Sequence, residues 1–221
     1  TVYKALPHSC VSRLMTKRSK STNHWRQRHR KDVYMERAAR EGWRSRAVYK
    51  LQQIQDSDRL FRPGIRCLDL GASPGSWSQF ASKIIGPNGR LWAVDKQPMD
   101  PIDGVEFVLG DFTETETLSF LQTLLGDTPI DLVISDMSPN ISGNKAIDQP
   151  RAIGLAEDAL TFSFQVLGEG GGFLTKLFQG EGFEEFVGLL KNSFSSVRTI
   201  KPRASRPESR EVYLLARTFH M

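Results

Sequence analysis

Four charged side chains occupy positions where they could carry out chemistry. Lys176 lies inside the apolar run 173–178, and Asp136 ends another apolar stretch. Lys50 stands in a predicted helix, and Glu211 opens the last predicted strand. Buried lysines are rarely accidental, and burial together with neighbouring cations can give a neutral amine that acts as a general base. Taken singly, Lys50 also suits a helix surface, Glu211 a cross-strand ion pair and Lys176 a strand end that reaches solvent.

A glycine-containing loop follows the first predicted strand, where α/β sheets bind nucleotides. Gly71 and Gly75 allow close approach of a ligand, but Pro74 lacks an N–H donor and the third glycine of the dinucleotide fingerprint is missing. A diphosphate is therefore disfavoured. Asp95 ends the second strand, where a carboxylate accepts from both ribose hydroxyls. Asp111 follows the third, where it could accept from an adenine amino group or merely cap a helix.

An adenosine ligand that lacks a diphosphate but carries a positive centre is S-adenosylmethionine. Its sulfonium favours nearby carboxylates and aromatic faces, which Asp69, Asp136 and Trp77 supply. We therefore expect S-adenosylmethionine as the cofactor. A nicotinamide-dependent oxidoreductase on the same type of sheet is the competing interpretation, and Pro74 weakens it.

The elements that must hold these residues follow from the apolar pattern. Short apolar runs that end in an acid or a glycine alternate with helical stretches, which is the rhythm of parallel βαβ units. Predicted strands cover residues 66–70, 91–95, 105–109, 131–136, 172–178, 197–201 and 212–217. Helices are expected near residues 75–86, 114–125, 150–167 and 182–193, and two basic helices between residues 33 and 55. This pattern predicts an α/β, Rossmann-like fold with a mostly parallel, doubly wound sheet and an antiparallel C-terminal strand.

The sequence resembles the FtsJ/RrmJ (RlmE) family of ribosomal RNA 2′-O-ribose methyltransferases over about residues 16–217. The matching segments are 45–51 (SRAVYKL), 68–79 (LDLGASPGSWSQ), 110–112 (GDF), 135–143 (SDMSPNISG), 176–183 (KLFQGEGF) and 209–213 (SREVY). Ser76 stands where a glycine is common in the family, and Ser73 and Ser138 stand where alanines are usual. The resemblance implies a catalytic tetrad at Lys50, Asp136, Lys176 and Glu211. It also implies cofactor contacts at Gly71, Gly75, Trp77, Asp95, Asp111, Phe112 and Asp136.

The resemblance further implies the reaction. A methyl group would pass from S-adenosylmethionine to the 2′-oxygen of a uridine in 23S ribosomal RNA, in the assembled large ribosomal subunit. Lys176 would take the hydroxyl proton and Lys50 would stabilise the developing alkoxide, while Asp136 and Glu211 orient the ammonium groups. A charged Lys176 that acts by positioning is equally compatible with the sequence. The alternatives are a transfer RNA 2′-O-methyltransferase and a non-catalytic, RNA-binding ribosome assembly factor.

Positive charge is concentrated near the N-terminal end. The chain has a net charge of +5, but residues 1–50 hold 14 Lys and Arg against three acids. Such a stretch is typical of an arm that binds a polyanion, although a solvated tail has the same composition. We expect this arm over residues 1–32 and one methyltransferase domain over residues 33–221. The side chains predicted to contact RNA phosphates are Lys17, Arg18, Lys20, Arg26, Arg28, Arg30, Lys31, Arg203, Arg206 and Arg210.

The sequence also suggests where the natural chain starts, where the protein resides and which metal or membrane contacts it lacks. Met15 is a candidate native start, which would place residues 1–14 outside the natural chain. We expect a bacterial-type cytoplasmic protein, with a mitochondrial transit peptide as the alternative interpretation of the Arg-rich leader. Two distant cysteines, Cys10 and Cys67, are too few for a zinc site. No apolar stretch approaches the roughly 18 to 20 residues that span a bilayer. A monomer without metal or membrane contacts is therefore expected.

Overall fold

Strands and helices alternate along the chain after two initial helices. This computed structural model describes residues 32–220. The helices are α1 (Val33–Glu41), α2 (Val48–Asp58), α3 (Ser76–Ile85), α4 (Thr115–Leu125), α5 (Lys145–Val166) and α6 (Phe183–Ser193). The strands are β1 (Arg66–Leu70), β2 (Arg90–Asp95), β3 (Val105–Leu109), β4 (Ile130–Ser135), β5 (Leu167–Phe178), β6 (Phe194–Ile200) and β7 (Glu211–Phe219).

The strands form one sheet in the order β3-β2-β1-β4-β5-β7-β6. The first five strands of the chain pair in parallel, and β7 is antiparallel to both of its neighbours. The predicted Rossmann-like sheet with an antiparallel C-terminal strand is therefore confirmed. The strand order reverses between β1 and β4, and a crevice at such a switch point is where open α/β sheets bind ligands.

Helices cover both faces of the sheet. On one face, α4, α5 and α6 bury side chains such as Leu121, Leu160 and Phe186 in the larger hydrophobic core. On the other face, α2 and α3 bury residues such as Ile54 and Ala81 against the strands. This three-layer arrangement explains why the central strands are apolar on both faces, since both faces are withdrawn from water.

Two element boundaries differ most from the prediction. α5 begins at Lys145 rather than near residue 150, because the Asn144 side chain accepts a hydrogen bond from Ala146 N and caps the helix before Pro150. β5 begins at Leu167 rather than at residue 172, and a register shift against β4 accommodates its glycine-rich start. Pro150 and the glycines ordinarily interrupt a helix or a strand, but here the Asn144 cap and the strand pairing outweigh that preference.

The predicted arm (residues 1–32) and the candidate start at Met15 lie outside the described residues, except for Asp32. The described residues from Tyr34 onward belong to one compact unit. Within residues 32–220, no helix is both long enough and apolar enough to cross a bilayer.

Candidate active site

The strand directions bring most of the predicted site residues to the carboxyl edge of the sheet. Asp95 ends β2, while Gly71 and Asp136 directly follow β1 and β4, which run parallel to β2. β7 runs in the opposite direction, so its first residue, Glu211, reaches the same edge and pairs with Phe178 of β5. Side chains far apart in the sequence therefore converge at one crevice.

Lys176 and Asp136 form a largely buried ion pair. The Lys176 side chain is 7% exposed, and its Nζ lies 3.1 Å from Asp136 Oδ1. The same Nζ donates to the backbone carbonyl of Asp136 at 2.6 Å. Tyr213, which pairs with Lys176 across β5 and β7, donates its hydroxyl to Asp136 Oδ1 at 2.7 Å. The position of the amine is therefore set by its neighbours and not by the lysine stem alone.

Lys50 and Glu211 form a second ion pair. Lys50 Nζ lies 2.7 Å from Glu211 Oε1 and 2.9 Å from Oε2, and Ser205 donates its hydroxyl to Oε1 at 2.8 Å. Lys50 Nζ also lies 5.7 Å from the centre of the Tyr213 ring. The four residues predicted as a tetrad thus form two ion pairs with Tyr213 beside both.

The charges of this cluster determine its protonation. Burial opposes the ionised form of Asp136, but Lys176 and then Lys50 outweigh it, so the pKa of Asp136 lies below its ordinary value. Burial, followed by the charges of Asp136 and Glu211, raises the pKa of Tyr213 well above its ordinary value. Asp136 is therefore an anion near neutral pH, and the Tyr213 phenol keeps the proton that it donates.

Asp69 is a further carboxylate near this edge. It is buried in β1 and accepts a hydrogen bond from the Ser78 hydroxyl at 2.6 Å. Burial raises the pKa of Asp69 to about 7, and the nearby charges of Asp136 and Asp95 act in the same direction, against the hydrogen bond from Ser78. Asp69 therefore changes charge near neutral pH, which separates it from the stably ionised Asp136.

A cavity of about 440 Å³ opens beside Asp136 at the switch point. Its walls include five of the residues predicted to contact the cofactor: Gly71, Asp95, Asp111, Phe112 and Asp136. The other two predicted contacts, Gly75 and Trp77, do not appear in the walls of this cavity. Trp77 instead lines a smaller adjoining cavity of about 60 Å³, together with Asp69 and Asp136.

Two carboxylates in the larger cavity are fixed by backbone amides. Asp95 accepts from Ser73 N at 2.9 Å and from Gln97 N at 2.7 Å, one bond on each oxygen. Asp111 accepts from the N–H and the hydroxyl of Thr113 through Oδ1, and these bonds lower the pKa of Asp111. Asp111 does not cap α4, since Glu114 is the residue before that helix. Each carboxylate retains acceptor capacity for a ligand.

The glycines of the loop are needed for two different reasons. A Cβ on Gly71 would lie 2.1 Å from Met137 Cγ, so the backbone passes very close to the loop that follows β4. A Cβ on Gly75 would lie 2.8 Å from a terminal nitrogen of Arg44. That guanidinium donates to the carbonyls of Pro74, Asp100 and Pro101. Gly71 therefore shapes the crevice, whereas Gly75 permits the arginine to bind the loop.

Tyr213, Arg44 and Ser205 are site residues to which sequence reasoning assigned no role. The signal for Tyr213 was its spacing, because residues two apart in a strand share a face and Glu211 was already assigned. Arg44 stands directly before the segment that carries Lys50, but its three carbonyl partners lie in distant loops. Such contacts depend on tertiary structure and leave no mark in a single sequence.

The residues of the larger cavity suit S-adenosylmethionine. Asp95 and Asp111 provide fixed acceptors for the hydroxyl and amino groups of an adenosine, and Gly71 lines the same cavity. Asp136 provides the negative charge that a sulfonium favours. Within residues 32–220, no group of three or more His, Cys, Asp or Glu side chains is placed to hold a metal ion.

Comparisons with known proteins find a matching family and similar solved structures. The sequence pattern of the FtsJ-like methyltransferase family matches residues 43–219. A Plasmodium falciparum protein described as a candidate ribosomal RNA methyltransferase is 30% identical, superposes with a TM-score of 0.72, and aligns over 80% of this chain and 98% of its own.

Two more distant structures share the fold. A candidate rRNA methylase from Clostridium thermocellum is 18% identical with a TM-score of 0.53, over 77% of this chain and 97% of its own. A candidate methyltransferase from Streptococcus mutans, solved in complex with SAH, is 14% identical with a TM-score of 0.50, over 79% of this chain and 96% of its own.

Proposed function

The chain belongs to the FtsJ-like methyltransferase family, and we propose that it methylates the 2′-oxygen of a uridine ribose in large-subunit ribosomal RNA, using S-adenosylmethionine. The observation that carries the proposal is the convergence of the two lysine–carboxylate pairs beside a cavity suited to adenosine. The similarity to the Plasmodium falciparum protein supports ribosomal RNA as the substrate. The residue pattern described above supports the ribosomal, RlmE-type form.

The cofactor would be held by Asp95, Asp111 and the backbone at Gly71. When bound, S-adenosylmethionine supplies an electrophilic methyl group. Asp136, which borders the same cavity, favours the sulfonium through its charge and also fixes the amine of Lys176. This carboxylate would therefore position both the methyl donor and the Lys176 amine that takes the proton.

The chain's own residues then act on the ribose hydroxyl. Lys176, in its neutral form, is the general base that removes the proton from the 2′-hydroxyl as its oxygen attacks. Lys50, held by Glu211, stabilises the negative charge that develops on that oxygen. Tyr213 keeps Asp136 in place through its hydrogen bond and so positions Lys176 indirectly. The low exposure of the Lys176–Asp136 pair strengthens these electrostatic interactions, because few water molecules screen them.

Transfer RNA is the second candidate substrate within the same chemistry. A non-catalytic assembly factor is the other alternative, and the intact pairing of all four tetrad residues argues against it. An experiment separates these functions. Ribose methylation is mapped across ribosomal and transfer RNA from cells that lack the protein and from cells that receive it again. We expect one ribosomal position to lose and regain methylation; a transfer RNA position, or no position, would contradict the proposal.

The same assay tests the role of Lys176. Lys176→Ala should reduce methyl transfer by about 10² to 10⁴-fold, since it removes a general base. It should leave affinity for S-adenosylmethionine nearly unchanged, because Lys176 does not line the larger cavity. Lys191→Ala, at an exposed position in α6, is the matched control. Near wild-type turnover of Lys176→Ala at saturating RNA would remove this lysine from the mechanism.

A further inference from the structure

A third cavity, of about 260 Å³, borders the Lys50–Glu211 pair. Its walls are Ser45, Arg46, Ala47, Lys50, Arg206, Ser209 and Glu211. Ser45 and Ala47 also line the small cavity beside Trp77, and that small cavity shares Asp136 with the adenosine cavity. The three cavities are therefore linked through shared wall residues, and Lys50, Glu211 and Asp136 lie along this series.

The third cavity has a positive lining. Lys50 and Glu211 offset each other's charge, and two arginines, Arg46 and Arg206, line the same space. Arg46 comes from the segment before α2, and Arg206 comes from the loop between β6 and β7. Two like charges brought to one cavity by separate segments favour an anion between them. Guanidinium groups suit phosphate in particular, because they can bind it in a bidentate manner.

Arg46 is held in place independently of any ligand. Its guanidinium donates to the carbonyl of Ala204 at 2.5 Å and lies 5.4 Å from the centre of the Tyr34 ring. Burial, and next the charge of Arg206, lower the pKa of Arg46 from its ordinary value, while Glu211 acts in the opposite direction. The two arginines therefore interact electrostatically across the cavity, and an anion between them would relieve their repulsion.

We propose that this cavity binds the 3′-phosphate of the nucleotide whose ribose is methylated, between Arg46 and Arg206. This inference rests on the proposed function. The 3′-phosphate is bonded to the ribose carbon next to the one that bears the 2′-hydroxyl. A phosphate beside Lys50 and Glu211 thus places that hydroxyl toward Tyr213, Asp136 and Lys176. The cavity would recognise the sugar–phosphate backbone and orient the reacting oxygen, without reading the base.

The nucleotide-binding test does not depend on methyl transfer. Uridine, uridine 3′-monophosphate and uridine 5′-monophosphate are titrated into the full chain and followed by NMR. Uridine is chosen because an adenine nucleotide would compete for the adenosine cavity. We expect the 3′-monophosphate to bind roughly 10-fold or more tightly than the other two, as a charge-assisted hydrogen bond predicts. Arg206→Gln should abolish this preference. Equal binding of the two monophosphates, or an unchanged preference in the variant, would overturn the site.

Arg151→Gln is the matched control, since Arg151 is an exposed arginine of α5 that does not line this cavity. It should keep the preference for the 3′-monophosphate. In methyl transfer to ribosomal RNA, Arg206→Gln should raise KM about 10-fold with little change in kcat. If the control variant raised KM equally, the effect would come from general positive charge, and the phosphate site would be overturned. An absence of transfer to ribosomal RNA by the wild type would refute the proposed function, and the nucleotide titration would still decide the phosphate site.

Discussion

Asp136 lies next to both the adenosine cavity and the lysine proposed to take the proton. Its carboxylate contacts both Lys176 and Tyr213, and it borders the adenosine cavity as well as the small cavity beside Trp77. Removing this charge would leave a buried ammonium without its partner, which is more costly than losing an exposed ion pair. A substitution at Asp136 would therefore weaken both cofactor binding and methyl transfer. A substitution at Lys176 should reduce methyl transfer but leave cofactor binding nearly unchanged.

Asp95 offers a cleaner test of cofactor binding. Asp95→Ala removes the carboxylate that accepts from the amides of Ser73 and Gln97 and that would accept from the ribose. Affinity for S-adenosylmethionine, measured by calorimetry, should fall by about 1.5 to 3 kcal/mol, the value of a charge-assisted hydrogen bond. Asp103→Ala, an exposed carboxylate on the following loop, should change little. Equal affinities of the two variants would contradict the assignment of Asp95.

Asp69 makes stability depend on pH. Its folded-state pKa of about 7 lies above the ordinary value of 3.8, so the folded chain holds a proton that the unfolded chain releases. The resulting stabilisation is complete below the ordinary pKa and is lost as the pH rises through about 7. Relative to Asp69→Asn, the wild type should lose roughly 3 kcal/mol of unfolding free energy between about pH 5 and about pH 8. Denaturant titrations of both proteins check this; parallel pH profiles would contradict the raised pKa.

The sequence identified many of the residues of the site, but it did not show which groups those residues contact. The tetrad was identified from its resemblance to a family, and the structure places its members in two ion pairs. Trp77 was expected beside the cofactor, but its indole N–H donates to the Ala47 carbonyl and its ring packs 5.7 Å from that of Tyr213. These partners come from the start of α2 and from β7, and only the packing of those elements on the sheet determines them.

At the scale of elements, alternation of apolar runs was sufficient to predict the sheet. The bounds of β1 and β3 agree with the prediction at both ends, because each strand is short and followed by a loop rich in turn-forming residues. The prediction failed where a helix or strand runs through residues that ordinarily interrupt it, as at Pro150 in α5 and at the glycines that open β5. A side-chain cap stabilises the start of α5 and strand pairing stabilises the start of β5, although the local sequence does not favour either.

The turn between β1 and α3 should tolerate no side chain at Gly71. This glycine has φ +74°, and a Cβ there would meet Met137, whereas Gly42, after α1, has the same φ and nothing within 4 Å of an added Cβ. Gly42→Ala should therefore cost about 1 to 2 kcal/mol from backbone strain alone. Gly71→Ala should cost about 1 to 3 kcal/mol more and weaken cofactor binding. Chemical denaturation measures both; equal losses would show that the loop relaxes around the methyl group.

At the scale of the whole molecule, three of the arginines predicted to contact RNA lie in the loop between β6 and β7. Arg46 and Arg206 flank the phosphate cavity described above, and Arg210 of the same loop donates to the Gln179 carbonyl beside β5. Much of the remaining positive charge belongs to residues 1–31, outside the described residues. If the proposed phosphate site orients the ribose, affinity for a long RNA would still depend on charges elsewhere in the chain.

The basic arm should set RNA affinity without choosing the nucleotide. Each phosphate contacted by a lysine or arginine releases counterions, so log affinity should fall with log salt by about 0.7 to 0.9 per contact. Deleting residues 1–31, or replacing Lys17, Arg18, Lys20, Arg26, Arg28, Arg30 and Lys31 with glutamine in the full chain, should weaken binding to ribosomal RNA and flatten this slope. Affinity for S-adenosylmethionine and the methylated position should stay the same, because the shape of the RNA presents the target ribose. Filter-binding titrations at several salt concentrations test this, and an unchanged slope in both variants would show that the arm makes no phosphate contacts.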